Sequence, residues 1–393
     1  MTPAARVQTA IELLDSIITA ARGQGAPADR ILAQWFREHR FAGSKDRRAI
    51  RELVYAAIRA CGPIPTSGRA AMLRLAEGDA QIAPLFDGSN YGPTPIGEGE
   101  PIAKGGIAHG WLVSLLGKSG VTGAAAAALL ERAPLDVRIN RLKMANGAPE
   151  LPVEAESCAA PDALRFPTGT QVEQWPAFRS GEIEVQDAGS QLACLAVGAV
   201  PGETIIDLCA GAGGKTLGLA ASMQNTGRLI ACDTDRGRLS RLPARAEKAG
   251  ASIVETRLLN PKQEFEALAD LAGLADAVLV DAPCSGTGTW RRNPEARWRL
   301  TKAELEKVTQ LQSYILDYAA KLVKPGGRIA FVTCSLLDEE GASQAEAFMA
   351  RNKGWSADPA PLELGEERGQ GIRLSPYQHG TDGFFVAILQ RAC

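Results

Sequence analysis

From about residue 190 the chain alternates short apolar runs with helical stretches, and this most limits what it can fold into. ETIIDL, GRLIACD, DAVLVDA and GRIAFVTC read as strands. A helix from Lys215, one through RLSRLPARAEKAG and one through LEKVTQLQSYILDYAAKLV separate them. Such alternation means βαβ units, hence a parallel sheet covered by helices on both faces. GFFVAIL (383–389), after a GTDG turn, is expected as a late strand. The segment before it differs. VQTAIELLDSIITAA, DRILAQWFREH and DRRAIRELVYAAIRA carry apolar residues at helical spacing, so residues 1–130 are expected to be a helical domain. A Gly/Pro-rich stretch, 87–106, is expected to be a flexible loop within it. LDVRINRL reads as a strand, and 131–190 as a small α+β module ahead of a catalytic domain over 191–393.

In an open α/β sheet, ligands sit beyond the carboxyl ends of the strands. IIDLCAGAGGKT (205–216) is a strand, a glycine turn and a helix start. A P-loop would need glycine where Cys209 stands, and a dinucleotide fingerprint would need it at Thr216, so both fail. A nucleoside cofactor without a pyrophosphate, such as S-adenosylmethionine, remains. Asp233 closes the next strand and could accept the ribose hydroxyls. Alone it reads equally well as a helix cap; beside the glycine turn, ribose binding is favoured.

Two further strands end in thiols, Cys284 in DAPCSGTG and Cys334 in VTCS. A thiolate that adds to carbon 6 of a pyrimidine makes carbon 5 nucleophilic, able to take a methyl group from a sulfonium. Two cysteines and Asp281 at adjacent strand ends supply a nucleophile, a ring partner and a group that assists release. Which thiol attacks stays open on the residues alone. The eight cysteines are scattered without CxxC spacing, which argues against a disulfide scaffold and a structural zinc. The three histidines show no ligand spacing, so no metal is expected. His379 reads as a turn residue or as an approach to the site.

Net charge is −2, so global charge does not announce a nucleic-acid partner, though residues 1–60 hold ten Lys/Arg against six Asp/Glu. WRRNPEARWRL (290–300) interleaves Arg291, Arg292, Arg297 and Arg299 with Trp290 and Trp298. Arginines grip phosphates and aromatic rings stack bases, so Arg291, Arg292 and Arg297 are candidate RNA contacts; the alternative is an exposed helix start with two core tryptophans. No apolar run reaches membrane-span length and no secretory core opens the chain, so a cytoplasmic monomer is the default expectation.

DLCAGAGGKT, DAPCSGTG, VTCS and HGTDGFF, in this order, resemble the Sun (Fmu, RsmB-like) family of RNA cytosine-5 methyltransferases. The likeness covers 183–393 and extends more weakly upstream through VQDAGSQL, VRINRLK and KDRRAIRELVYAAIR. It implies a Rossmann-like class I methyltransferase domain, a late antiparallel strand and an N-terminal NusB-like helical domain. It further implies S-adenosylmethionine as cofactor, held by Cys209, Ala210, Gly211, Ala212, Gly213, Gly214, Lys215, Asp233, Asn260 and Asp281. Cys334 would attack, Cys284 would release the product, Asp281 would orient the base, and Lys215 would sit at the site's mouth. The NusB-like region favours small-subunit ribosomal RNA over transfer RNA as substrate. A non-catalytic RNA-binding assembly factor on the same fold is the rival that intact thiols oppose. Gly211 and Ala212 replace the family's usual Ala-Pro, which should soften the turn. Asn260 stands where the family usually has Asp.

Overall fold

The computed structural model describes residues 1–261 and 263–393, with Phe265 described by its backbone only. The chain divides into two compact units, Met1–Leu130 with Trp290–Thr301, and Glu131–Thr289 with Lys302–Cys393.

The first unit is helical: α1 (Pro3–Arg22), α2 (Ala28–Glu38), α3 (Ser44–Ala60), α4 (Gly68–Gly78), α5 (Gly110–Lys118) and α6 (Gly123–Ala128). Thr2 and Ser67 cap α1 and α4 through their hydroxyls, supplying acceptors for first-turn amides. The apolar stripes meet in one core that includes Val7, Leu14, Ile17, Leu32, Ile50, Val54, Ile58 and Met72. Residues 87–106 are irregular but tethered: Lys104 O and Ala70 O accept amide hydrogens from Gly62 and Ala103, and Arg69 binds Glu100 at 2.8 Å.

The second unit holds two sheets. β1 (Leu135–Ile139), β2 (Glu156–Ser157), β3 (Ala163–Phe166) and β4 (Ile183–Val185) form a small antiparallel sheet in the order β2-β3-β1-β4. The large sheet contains β5 (Thr204–Asp207), β6 (Arg228–Asp233), β7 (Val254–Leu258), β8 (Ala275–Asp281), β9 (Val323–Thr333), β10 (Trp355–Asp358), β11 (Glu366–Arg368), β12 (Gly371–Leu374) and β13 (Phe384–Arg391). Its order is β7-β6-β5-β8-β9-β13-β12-β11, with β10 also on β13. Strands β5 to β9 pair in parallel, and β13 runs antiparallel to β9. Consecutive residues feed opposite cores: Ile205, Leu229, Leu279 and Val332 pack on one face, Ile206, Ile230, Val280 and Phe331 on the other. Burial on both faces is why these strands read as apolar runs.

One expected boundary is corrected. The catalytic domain does not run unbroken from 191 to 393: residues 290–301 leave it and fold with the helical unit.

Candidate active site

β5 lies between β6 and β8, where the strand order reverses, so the crevice beyond its carboxyl end is the natural ligand position. The 208–214 turn follows. Leu208 donates to Leu279 O at 2.9 Å and Ala210 to Cys232 O at 2.8 Å, fixing the turn to both neighbouring strands. Gly211 has φ +57, a left-handed conformation in which the family's usual alanine would be strained. An added Cβ there would also strike the Arg238 guanidinium. Glycine at 211 therefore suits the path this turn takes. Ala212 O accepts from Arg245, and Gly214 opens the helix Gly214–Ser222. Cys209 is half-buried as a residue, and burial holds its thiol well above the ordinary range, which leaves it inert.

Asp233 closes β6, 8% exposed. Its two carboxylate oxygens accept 2.7 Å hydrogen bonds from the amides of Gly211 and Asp235. Asp207, at the end of β5, accepts from the Thr216 hydroxyl at 2.6 Å, while its Oδ1 is buried without a donor among the described residues. Asn260 is exposed two residues beyond β7.

The chemistry-bearing groups meet at the ends of β8 and β9. The sulfurs of Cys284 and Cys334 are 3.2 Å apart. The Lys215 ammonium lies 2.7 Å from Asp281 Oδ2 and 5.3 Å from the centre of the Phe384 ring. Burial pulls the Lys215 pKa down, but the Asp281 carboxylate more than offsets it, so the ammonium persists. The hydrogen bond with Cys334, then burial, then nearby negative charge hold the Cys284 thiol well above its ordinary value. The three turns that carry these residues are joined by backbone: Gly288 donates to Cys334 O at 3.0 Å and Gly383 donates to Gly288 O at 2.8 Å. His379 is a turn residue here, its Nδ1 accepting from the Ser375 amide at 3.0 Å.

The arginines expected to touch RNA are placed otherwise. Arg297 is 2% exposed, and its guanidinium donates to Ile58 O at 2.7 Å, Cys61 O at 2.6 Å and Pro294 O. It is a structural member of the helical unit, which corrects the expectation for it. Arg291 is 5% exposed, so it is buried too. Arg292 is half-buried. Trp298 belongs to the core of the helical unit, as the core-tryptophan alternative requires.

Sequence reasoning missed Glu340. It is fully buried and accepts from the Ser285 amide at 2.7 Å, from the hydroxyls of Ser285 and Ser335, and from Gln312 at 3.2 Å. The only signal was an acidic run, Asp338-Glu339-Glu340, directly after the VTCS thiol; such runs are usually solvated.

Among the described residues no group of three or more His, Cys, Asp or Glu side chains is placed to hold a metal. None of the helices described there is long and apolar enough to cross a membrane.

A mostly parallel sheet with an antiparallel β13, and a glycine turn between β5 and its helix, defines a class I S-adenosylmethionine-dependent methyltransferase fold. Within that class, the chain belongs to the family described as 16S rRNA methyltransferase RsmB/F, whose model matches residues 194–390. The "Probable ribosomal RNA small subunit methyltransferase B" of Synechocystis sp. is 35% identical over 277 residues, 66% of this chain and 60% of that protein. The "Ribosomal RNA small subunit methyltransferase B" of Pasteurella multocida is 33% identical over 266 residues, 66% of this chain and 59% of that one. The chain thus spans about three-fifths of the length of these relatives. Among solved structures, PH0851 superposes with a TM-score of 0.74 at 25% identity, covering all of both chains. NSun6 from Pyrococcus horikoshii, solved with SFG, superposes at 0.61 and 20% identity, covering 71% of this chain and 98% of that one.

Proposed function

We propose that the chain methylates carbon 5 of a cytosine in RNA, specifically small-subunit ribosomal RNA, through a covalent bond between Cys334 and carbon 6 of the base. The observation that carries this reading is the 3.2 Å thiol pair beside the Lys215–Asp281 ion pair. A methyltransferase for other substrates would have no task for two sulfurs at adjacent strand ends. The names of the relatives support ribosomal RNA over transfer RNA.

The donor set suits S-adenosylmethionine. Asp233 keeps lone pairs for a ribose diol beside its backbone bonds, and the Oδ1 of Asp207, without a donor among the described residues, suits an ammonium group. The 209–214 turn would line the methionyl portion, and Asn260 would pair with the adenine edge. When bound, the cofactor supplies a methyl carbon as electrophile.

The chain's own residues do the rest. The Cys334 thiolate adds to carbon 6, and the carbon 5–carbon 6 π pair moves to carbon 5, which becomes nucleophilic. Asp281 accepts from the exocyclic amino group and holds the ring in register. Lys215 balances the carboxylate and favours negative charge on the sulfur nearby. Bond formation at Cys334 removes the sulfur hydrogen bond and the charge that, with burial and Glu340, hold the Cys284 thiol up, so Cys284 can release its proton to solvent. As a thiolate it then takes the carbon 5 proton; that C–H pair rebuilds the double bond, and the C–S pair returns to Cys334. A paired base is out of reach, so the target is unpaired or flipped out, at a cost of about a few kcal/mol. Half-buried Arg292 remains a candidate RNA contact.

The test uses methyl-labelled cofactor with separated ribosomal and transfer RNA. Wild type should label ribosomal RNA and Cys334→Ala should label none. Cys284→Ala should accumulate a protein–RNA adduct that survives a denaturing gel. An adduct formed by Cys334→Ala but not by Cys284→Ala would reverse the roles, and an unlabelled RNA pool with wild type would refute the reading.

A further inference from the structure

Two thiols this close share one negative charge, because a second thiolate at 3.2 Å would face strong repulsion. Something must decide which sulfur carries it. The backbone does not select Cys334: each cysteine follows a strand and precedes a serine, Ser285 or Ser335, and the Gly286 amide bonds the Cys284 sulfur and eases ionisation there. The surrounding charges do. The cation of the site, Lys215, interacts with Cys334, together with Asp281 and Asp207. The buried anion, Glu340, is bonded to the amide and hydroxyl of Ser285, the residue after Cys284, and adds to the influences of Cys334 and burial that raise the Cys284 thiol.

We propose that Glu340 is the positioning residue of the thiol pair, its buried carboxylate clamping both cysteine turns and setting a negative charge next to Cys284, so that Cys334 is the sulfur that attacks. The clamp is bonded on each side. Glu340 takes the amide and hydroxyl hydrogens of Ser285 and the hydroxyl hydrogen of Ser335 at 2.6 Å. Gln312, fully buried, donates to both Glu340, at 3.2 Å, and Pro283 O, at 2.9 Å, bracing the same turn. Thr287 closes the ring through the Ser335 hydroxyl at 3.0 Å and the Leu336 amide at 2.9 Å. A buried carboxylate satisfied by four donors is held in one place, which suits it to position the turns it joins. The inference deepens the cytosine reading by giving a physical reason for the order of the two sulfurs, and it rests on that reading for its catalytic meaning.

The experiment reads the thiols without RNA or cofactor, so it can fail independently of the proposed activity. Full-length protein is treated with limiting iodoacetamide from pH 6 to 9, and the alkylation of each cysteine is followed by mass spectrometry. In wild type, Cys334 should react at lower pH than Cys284. Glu340→Gln keeps the shape and removes the charge; the Cys334-to-Cys284 ratio should fall by roughly tenfold, as one unit of relative acidity gives. Glu340→Asp keeps the charge and should hold the ratio within about threefold of wild type. Asp338→Asn, which removes a neighbouring carboxylate outside the clamp, should leave it unchanged. A folded Glu340→Gln with the wild-type ratio would overturn the proposal. Should that variant not fold, wild type still decides: earlier alkylation of Cys284 would overturn it. Wild-type selectivity that Glu340 controls, in a protein that labels no RNA, would uphold the clamp and refute only the reaction.

Discussion

Asp207 shows how one residue can record its burial in a bulk property. Its carboxyl sits at the end of β5 with one oxygen on Thr216 and the other without a donor among the described residues. Burial lifts it from 3.8 to about 7, with the Thr216 hydrogen bond acting in the opposite direction. Between those values the folded chain binds a proton that the unfolded chain has released. The stability it contributes is full below 3.8 and is lost as pH rises towards about 7. Asp207→Asn cannot ionise and keeps an acceptor for Thr216. Melting curves from pH 4 to 8 should therefore fall less steeply for the variant, with its advantage over wild type greatest near pH 8. Parallel curves would mean that Asp207 stays ionised in the fold.

At the scale of elements, three turns act as one part. The turn after β8, the turn after β9 and the turn before β13 are stacked through Gly288 and Gly383, whose backbones touch. A Cβ at Gly288 would collide with the Gly383 carbonyl, a backbone atom that cannot step aside. Gly288→Ala should push the Cys284 and Cys334 turns apart. Because about 1 Å of misplacement can cost a hundredfold, RNA labelling should drop by about that factor. Near-ultraviolet dichroism and melting point should change far less; equal loss of both would make Gly288 simply a folding residue. This stack was only partly legible in the sequence. The parallel strands β5, β6, β8 and β9 were readable because double-sided burial writes them as apolar runs, and Cys284, Cys334, Asp281 and Asp233 followed from strand ends. The strands β10 and β11 were not, being short and largely solvent-facing. Nor was Glu340, because an acidic triplet looks the same in sequence whether water or serines satisfy it. The opposite error occurred at Arg297, where a basic and aromatic stretch looked like a surface.

For the whole molecule, that stretch decides how the chain is partitioned. Residues 290–301 depart from the second unit and finish the first. The reason lies at the end of α3. The last carbonyls of a helix have no partners of their own and carry partial negative charge. Arg297 donates to Cys61 O and adds a second donor to Ile58 O, which the Cys61 amide reaches at 3.3 Å, and the Trp298 indole N–H donates to Gly62 O at 3.2 Å. Arg299 binds the carbonyls of Gly25 and Ala26 in the loop before α2, and Glu295 accepts from the first amide of α2, Ala28, at 3.1 Å. One strand-free dodecapeptide thus caps two helices of a unit that ended 160 residues earlier in the chain. Arg297→Met keeps most of the side-chain length and removes every donor. It leaves buried carbonyls unpaired, which should destabilise the helical unit by about 2–4 kcal/mol. Urea unfolding followed by tryptophan fluorescence should register that loss, and amide exchange should rise in α3 before it rises in the β5–β9 sheet. RNA affinity, measured well below the melting point, should hardly move. A folded, fully stable Arg297→Met with weakened RNA binding would return this arginine to the nucleic-acid surface from which its burial removes it.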